Sequence, residues 1–197
     1  MKYLFGLFFS VLLVFSFSSS SFSDESNPFA KDLFKIPNKY QKDFGGYRAR
    51  LKRLSGFEFS GLHWNNFVVV YAGFDNGVYK KNYFEYLKFI NMDEEDEEEE
   101  EVEINYKDYP VGAIIIKENY ASKNSLPSEP ESLTIMKKMP AGYDTKNGDW
   151  FYLQTDSEGR LLIEGKHGDP VVTEVCSKCH SNIKDRDFIF STFFTVN

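Results

Sequence analysis

Cysteine is scarce in this sequence, acidic residues outnumber basic ones, and long apolar runs are absent past residue 23; each of these features excludes a class of protein. Two cysteines among 197 residues exclude a disulfide-rich secreted scaffold. Lys and Arg number 23 against 30 Asp and Glu, so the excess of basic residues expected of a nucleic-acid-binding protein is lacking. Past residue 23 no apolar run approaches the roughly 20 residues of a membrane-spanning helix. Aromatic residues, at 17%, are abundant, and they indicate a folded chain.

Residues 1–23 have the features of a secretory signal peptide. Lys2 carries a positive charge, residues 3–15 form an uncharged apolar run, and Ser21 and Ser23 place small residues just before Asp24. The apolar run is shorter than a membrane-spanning helix, which argues against an anchor. We therefore expect export, a periplasmic or otherwise exported location, and no stable membrane span after cleavage.

The net charge of −7 comes mainly from one segment, residues 93–103, which holds ten of the acidic residues. Because neighbouring like charges repel one another, we expect this segment to be a solvated loop inserted into the domain. Calcium binding would need the glycine and the alternating ligands of an EF-hand loop, and the segment lacks both. Without this loop and the signal peptide, 22 basic and 20 acidic residues remain, so the folded body is nearly neutral.

The hydrophobic pattern predicts an α+β domain over residues 39–197, with a mainly antiparallel β-sheet and a few packed helices. Residues 24–38 are expected to form a loosely packed N-terminal arm, and 39–54 to form short helices broken at Gly45 and Gly46. Apolar and aromatic positions at helical spacing predict a longer helix over 76–90. A loop is predicted at 123–131, and turns at 147–148 and 157–159. Strands are predicted at 67–71, 111–116, 133–136, 150–154, 161–163 and 187–196.

The sequence C-S-K-C-H at residues 176–180 carries the clearest chemical signal. Two cysteines three positions apart, followed directly by a histidine, form the attachment sequence of c-type haem. On one helical turn, both thiols can reach the two vinyl groups at one haem edge, and His180 can reach the iron as axial ligand. We therefore predict one haem c, bound covalently through Cys176 and Cys179 near the C-terminus.

Other roles for the two cysteines compete with haem attachment. A disulfide between Cys176 and Cys179 would close a loop too short to add much stability. A redox dithiol is expected beside a βαβ pattern, which the sequence does not show. Zinc would need further ligands, for which His63 and His167 are the obvious candidates. On their own, His63 is expected to be a hydrogen-bonded structural residue and His167 to lie in an exposed loop.

Four stretches of the chain resemble the cytochrome P-460 family of exported monohaem cytochromes, which includes the cytochrome c-prime-beta proteins. They are SGLHWNNFVVVYAGFDNGVY (60–79), YPVGAIIIKENY (109–120), MPAGYDTKNGDWFYL (139–153) and VCSKCHSNIKDRDFIFSTFF (175–194). The resemblance implies a mainly antiparallel sheet, haem attachment near the C-terminus and, in many members, a homodimer. It also implies that Lys117 lies at or near the haem, because hydroxylamine-oxidising members join a lysine of the matching strand to the macrocycle.

Two departures from the hydroxylamine-oxidising members weaken an enzymatic interpretation. Val68 is the best match to their distal arginine, and residues 133–136 hold no acid where they have a proton-relaying carboxylate. General base catalysis needs a titratable group within hydrogen-bond reach of the substrate, and Thr134 is not one.

These departures favour an open, apolar distal site. Phe67, Val69 and Met136 are the candidates to face the iron, and the strand register decides which of them does. Such a site admits small neutral ligands such as NO or CO, as the cytochrome c-prime-beta members do. Binding of NO or a similar small ligand is therefore the first functional hypothesis.

Two further functions stay open. An enzyme oxidising hydroxylamine or a related nitrogen compound would have Lys117 crosslinked to the haem. The plain alternatives for Lys117, which is expected to end its strand, are a surface position or a pairing with Glu118 or another acid. An electron-transfer cytochrome would use Met92, Met136 or Met139 as sixth ligand. It would meet a redox partner such as another cytochrome, which the acidic loop could attract if the partner is basic.

Overall fold

The computed structural model describes residues 33–91 and 103–195 of the chain. Within these ranges seven strands form one antiparallel sheet of order β1-β3-β4-β5-β6-β7, and β2 also pairs with β3. The predicted signal peptide, Met92 and nearly all of the acidic loop lie outside the described residues. The strands are β1 (Lys52–Arg53), β2 (Glu58–Ser60), β3 (Asn66–Gly73), β4 (Ile114–Lys123), β5 (Leu126–Lys138), β6 (Trp150–Asp156) and β7 (Leu161–Gly165).

Along the described chain, two helices precede β1, one lies between β3 and β4, and two follow β7. They are α1 (Gln41–Phe44), α2 (Tyr47–Arg50), α3 (Val78–Ile90), α4 (Pro170–Val172) and α5 (Lys178–His180). A π-helical turn, Thr173–Ser177, joins α4 to α5, and 3-10 turns lie at Asn38–Tyr40, Thr145–Asn147 and Ser181–Arg186. The predicted α+β class, with a mainly antiparallel sheet and a few helices, is confirmed. None of the helices in the described ranges is both long and apolar enough to cross a membrane.

The strand register divides the sheet into two faces. Side chains of directly paired residues share a face, and successive residues along a strand alternate between faces. One face of the sheet lies beneath a cavity, and we call it the cavity face. We call the other the opposite face. The cavity face carries the cross-strand row Val70, Lys117, Thr134 and Gln154. The opposite face carries the row Tyr71, Ile116, Ile135 and Leu153.

Each face buries its own apolar core. Trp150, Tyr152 and Met136 belong to the cavity-face core, whereas Phe34, Phe44, Tyr47, Val69 and Leu133 belong to the core of the opposite face.

The end of the predicted N-terminal arm packs tightly against the opposite face. Phe34 and Ile36 are 1% and 5% exposed, and the Lys35 N–H donates to the carbonyl of Ser157 at 2.9 Å. The loose packing expected there is therefore wrong for residues 33–38. The two alternating apolar side chains cover a sheet face that would otherwise expose aliphatic side chains to water.

A buried ion pair ties α2 to the opposite face. The Glu118 carboxylate is fully buried and accepts hydrogen bonds from Arg48 at 2.6 and 2.8 Å and from the Tyr120 hydroxyl at 2.8 Å. The Tyr47 hydroxyl also donates to it. Because Glu118 is held on this face, the neighbouring Lys117 must point to the cavity face.

Strand β4 is longer than predicted and begins later. The strand expected at 111–116 runs from Ile114 to Lys123, after a turn at residues 111–112. Lys117 therefore does not end the strand, as expected, but lies within it.

The loop predicted at 123–131 is wrong, because Leu126–Lys138 forms one long strand after a tight turn at Asn124 and Ser125. Pro127 and Pro130 signalled a loop because proline cannot donate to a strand ladder. They are tolerated because β6 pairs with β5 only from Ser132 onward, and because the β4–β5 register is irregular there.

The strand predicted at 187–196 is also wrong over the described residues 187–195, which form no strand. Asp187 and Phe188 have φ values of +49° and +65°, in the left-handed region that a strand cannot contain. The aromatic side chains that suggested a strand instead pack this segment against the cavity-face core.

Candidate functional site

A cavity of about 290 Å³ opens over the cavity face of the sheet. Its walls come from the sheet, from the loop before β3, from the helical segment 170–186 and from Phe190 in the C-terminal segment. The cavity brings together five of the six predicted site residues. They are Lys117, Met136, Cys176, Cys179 and His180.

Phe67 is the predicted site residue that the structure places elsewhere. It and Val69 belong to the opposite face, where both pack in the core that contains Phe34 and Tyr47. Met136 lines the cavity instead, because it shares a face with Ile115 and Tyr152, its partners across the sheet. Of the three candidates to face the iron, the strand register thus places Met136 in the cavity wall and Phe67 and Val69 on the other face of the sheet.

The two cysteines lie on the helical segment that closes the cavity. Asp169 precedes this segment and Pro170 occupies its first position, which suits proline because its missing N–H has no helical partner there. Cys176 lies in the π-helical turn and Cys179 in α5, three residues on, so both side chains face the same side. π-Helical turns of this kind are frequent at functional sites.

Both cysteines are free thiols, so the disulfide alternative is absent from the structure. Burial raises the pKa of the Cys176 thiol to about 11, which keeps it protonated near neutral pH. Over residues 33–91 and 103–195 no group of three or more His, Cys, Asp or Glu side chains forms a metal site, which gives the zinc alternative no support.

His167 is tied to the cysteine motif and is only partly exposed. Its Nδ1 atom lies 2.9 Å from the hydroxyl oxygen of Ser177, which is fully buried between the two cysteines. The backbone of His167 lies in a loop, as expected, but its side chain is not fully exposed.

His180 has the geometry of an axial metal ligand. Its Nδ1–H donates to the carbonyl oxygen of Phe188 at 2.6 Å, so Nε2 is left for a metal. The rings of Tyr152 and Phe190 contact the imidazole edge-on, with centroids 5.9 and 5.2 Å away. Burial, and then the charge of Lys117, lowers the pKa of His180 to about 4, so the ring is neutral and its Nε2 lone pair is free.

Asp187 positions the carbonyl group that holds His180. Its carboxylate accepts the Tyr109 N–H at 2.8 Å and forms an ion pair with Lys138 at 2.6 Å. Its carbonyl oxygen accepts the indole N–H of Trp150 at 2.8 Å. The next residue, Phe188, donates its N–H to Ile183 at 3.0 Å, so both residues of this left-handed turn are fixed.

Lys117 is buried in the cavity wall, with 7% of its surface exposed. The structure gives its Nζ atom no hydrogen-bond or ion-pair partner among the described residues. Both plain alternatives are wrong, because the side chain does not reach the surface and Glu118 lies on the opposite face. Burial lowers the pKa of Lys117 to about 8, so a substantial fraction of the amine is neutral near physiological pH.

His63 is a cavity residue that the sequence did not reveal as one. It lines the cavity, and its Nδ1 atom lies 3.0 Å from the Ser60 hydroxyl oxygen. The charge of Lys117, then burial and the charge of His180, lower the pKa of His63 to about 2, so its ring is neutral. The spacing of residues along the sequence does not show where the side chain of a loop residue lies. The SGLHW stretch of the family resemblance was the one sign in the sequence that pointed to His63.

The residues of this cavity fit a c-type haem. Two thiols and a neutral imidazole with a free Nε2 are the donors that such a haem requires. The ring of Tyr152, which contacts the His180 imidazole edge-on, adds an apolar part of the wall beside these groups. Fold and site thus define a c-type haem protein.

Comparison with known proteins agrees with this class. The sequence model of the family described as Cytochrome P460 matches residues 78–191, more than half of the chain. The chain belongs to the cytochrome P460 family and is a haem cytochrome of that type. No curated protein matches the chain.

Proposed function

We propose that this protein is an exported monohaem c-type cytochrome that binds NO or a similar small ligand at an open sixth position of the haem iron. Cys176 and Cys179 hold the haem, and His180 is its proximal ligand. The observation that carries the proposal is the shared cavity of the two thiols and His180, whose Nδ1 is already engaged by Phe188.

Attachment of the haem needs no oxidant or reductant. Each thiol adds across the double bond of one vinyl group: a sulfur–carbon bond forms and the thiol hydrogen goes to the other vinyl carbon. The two thioether bonds would retain the haem covalently, even if its non-covalent contacts with the cavity wall were lost. His180 then has one ring nitrogen for the iron and the other for Phe188.

The rest of the cavity wall supports small neutral ligands. Leu62, Ile115, Met136 and Phe190 are apolar, so a strongly hydrated anion would lose its water without full compensation. Glu174 is the carboxylate among the described wall residues, and it is exposed and paired with Lys178 at 3.3 Å. Among the residues that the structure describes, the wall therefore offers no buried carboxylate to relay protons from a bound substrate.

Lys117 favours a second candidate, an oxidoreductase acting on hydroxylamine or a related nitrogen compound. A buried amine with a pKa of about 8 is a nucleophile placed beside the haem site. Joining its nitrogen to a porphyrin carbon replaces one N–H and one C–H bond and releases two protons and two electrons. This crosslink therefore needs a two-electron oxidant, such as a peroxide.

The optical spectrum of the purified holoprotein separates these candidates. We expect an ordinary c-type Soret band in the ferrous form and ready binding of NO and CO. A strongly red-shifted Soret band that is lost in Lys117→Met would favour the crosslinked enzyme. Failure of the ferrous protein to bind either gas would contradict an open site and favour electron transfer, with Met136 as the sulfur ligand in the wall.

The partner cytochrome, the homodimer and export itself stay predictions. The negative charge of the acidic segment 93–103 would attract a basic redox partner over about 8–10 Å at physiological salt. Such a partner would matter under either function, because a haem that changes oxidation state needs an electron donor or acceptor.

A further inference from the structure

The loop between β2 and β3 fixes His63 in the cavity wall. The His63 N–H donates to the Ser60 carbonyl at 3.2 Å, and the Asn66 N–H donates to the His63 carbonyl at 3.0 Å. Trp64 and Asn65 have φ values of +55° and +58°. Two successive non-glycine residues in this region are energetically costly, so the surrounding contacts must hold the turn in this shape.

The imidazole ring of His63 is held by one of its two nitrogens. Nδ1 lies 3.0 Å from the Ser60 hydroxyl oxygen, and the ring of Trp64 packs edge-on with its centroid 6.2 Å away. When the hydroxyl donates to Nδ1, the ring proton resides on Nε2. The structure gives Nε2 no hydrogen-bond partner among the described residues, so it remains for a group bound in the cavity.

The charged and titratable groups nearest the His63 ring keep it neutral. Lys117 lines the same cavity, and its charge disfavours a protonated His63 ring, as burial also does. A neutral imidazole donates one hydrogen bond through its N–H without bringing a charge into the cavity. The cavity wall then contains one hydrogen-bond donor that a second side chain, Ser60, holds in place.

We propose that His63 is the distal polar residue of this cytochrome, and that its Nε2–H donates a hydrogen bond to the small ligand in the sixth position. This inference rests on the proposed function, since it requires a haem in the cavity. A single hydrogen bond to a bound ligand changes its affinity by roughly tenfold. It would favour ligands whose outer atom gains negative charge on binding.

Carbon monoxide is the probe that tests this role. In the ferrous holoprotein a donor beside the CO oxygen lowers the C–O stretching frequency. We expect His63→Leu to raise that frequency and to speed CO dissociation by roughly tenfold. His63→Gln keeps an N–H donor of similar reach, so its C–O stretching frequency should lie between those of the wild type and His63→Leu. Ser60→Ala leaves the ring but frees it to turn, so a smaller shift in the same direction is expected.

The possible outcomes are distinguishable. An unchanged stretching frequency in both His63→Leu and Ser60→Ala would overturn the proposal. A ferrous wild type that is six-coordinate and becomes five-coordinate in His63→Leu would also overturn it, since His63 would then be an iron ligand. If His63→Leu loads no haem, Ser60→Ala and His63→Gln decide by the same measurement. A wild type without covalent haem would instead refute the proposed function.

Discussion

The Nδ1 atom of His180 lies 2.6 Å from the carbonyl oxygen of Phe188, eight residues further along the chain. This bond fixes the tautomer and the plane of the imidazole and leaves Nε2 without a partner among the described residues, where a metal could bind it. The Phe188 carbonyl owes its direction to the left-handed turn at Asp187 and Phe188. The orientation of the His180 ring therefore depends on this turn as well as on the C-S-K-C-H sequence.

Gly148 is required for the close approach of this turn, and Gly148→Ala should disturb it. A Cβ atom there would lie 2.6 Å from the Phe188 ring and 2.9 Å from the Asp187 carboxylate. Gly77→Ala is the matched control, because Gly77 has a similar φ of +75° but nothing within 4 Å of its added Cβ. We expect Gly77→Ala to lower the free energy of unfolding by about 1 kcal/mol.

Gly148→Ala should lower the free energy of unfolding by a further ~2 kcal/mol through overpacking. Urea unfolding of both holoproteins gives these values, and resonance Raman spectroscopy should show a changed iron–histidine stretch in Gly148→Ala alone. Equal effects of the two substitutions on stability and spectrum would show that the turn does not depend on the missing side chain.

Replacing Asp187 should reveal how strongly its carboxylate anchors the turn. Asp187→Ala leaves the half-buried Lys138 ammonium and the Tyr109 N–H without their acceptor, and it places alanine at a positive φ. We expect a loss of about 3–5 kcal/mol in unfolding free energy. Asp187→Asn tolerates the backbone conformation and keeps an acceptor oxygen, so it should lose about half as much. Denaturant titration measures both, and identical losses would contradict this role.

Lys117 should make the stability of the haem-free protein depend on pH. Its pKa falls from 10.5 to about 8 on folding, so between these values the unfolded chain binds more protons and stability rises with pH. Below about pH 8 the buried ammonium costs on the order of 3 kcal/mol. Lys117→Met should therefore be more stable than wild type at pH 7, and the difference should shrink as the pH rises to 9.5.

The difference between the two unfolding curves is the quantity to measure, because other titrating groups cancel in it. A difference that is near zero and flat from pH 7 to 9.5 would mean that Lys117 is solvated in the haem-free protein.

The Arg48–Glu118 pair should stabilise the face of the sheet that lies away from the cavity. Glu118→Ala removes a fully buried carboxylate and leaves the Arg48 guanidinium without it, so we expect a loss of about 3–5 kcal/mol. Arg48→Ala alone should cost a similar amount, and the double substitution much less than the sum. A double-mutant cycle in urea unfolding checks this coupling, and simple additivity would show that the two side chains act independently.

The sequence predicted those parts of the fold that a strong local pattern specifies. β3 and β6 are buried runs of β-branched and aromatic residues, and α3 has an apolar stripe at helical spacing, so each was found with small errors at its ends. The break at Gly45 and Gly46 likewise separates α1 from α2. The cysteine motif was recognisable because its chemistry depends on short sequence spacing alone.

Features that depend on tertiary contacts could not be predicted. Two prolines suggested a loop, but they lie in the part of β5 that β6 does not pair with. The aromatic C-terminal segment suggested a strand, but Asp187 and Phe188 adopt left-handed conformations there. Which of Phe67 and Met136 lies on the cavity face depends on the strand register. The pairing of β3, β4 and β5 sets this register. His63 lies in a loop whose turn, and not its periodicity, brings the ring into the cavity.

Covalent haem attachment through Cys176 and Cys179 is the central claim, and the mass of the denatured protein tests it most directly. The protein is produced with a cytochrome c maturation system, unfolded in acid and weighed by mass spectrometry. The wild type should weigh as the processed chain plus one haem, and Cys176→Ala/Cys179→Ala as the processed chain alone. A wild type without haem, or a double variant that retains haem after denaturation, would contradict the claim.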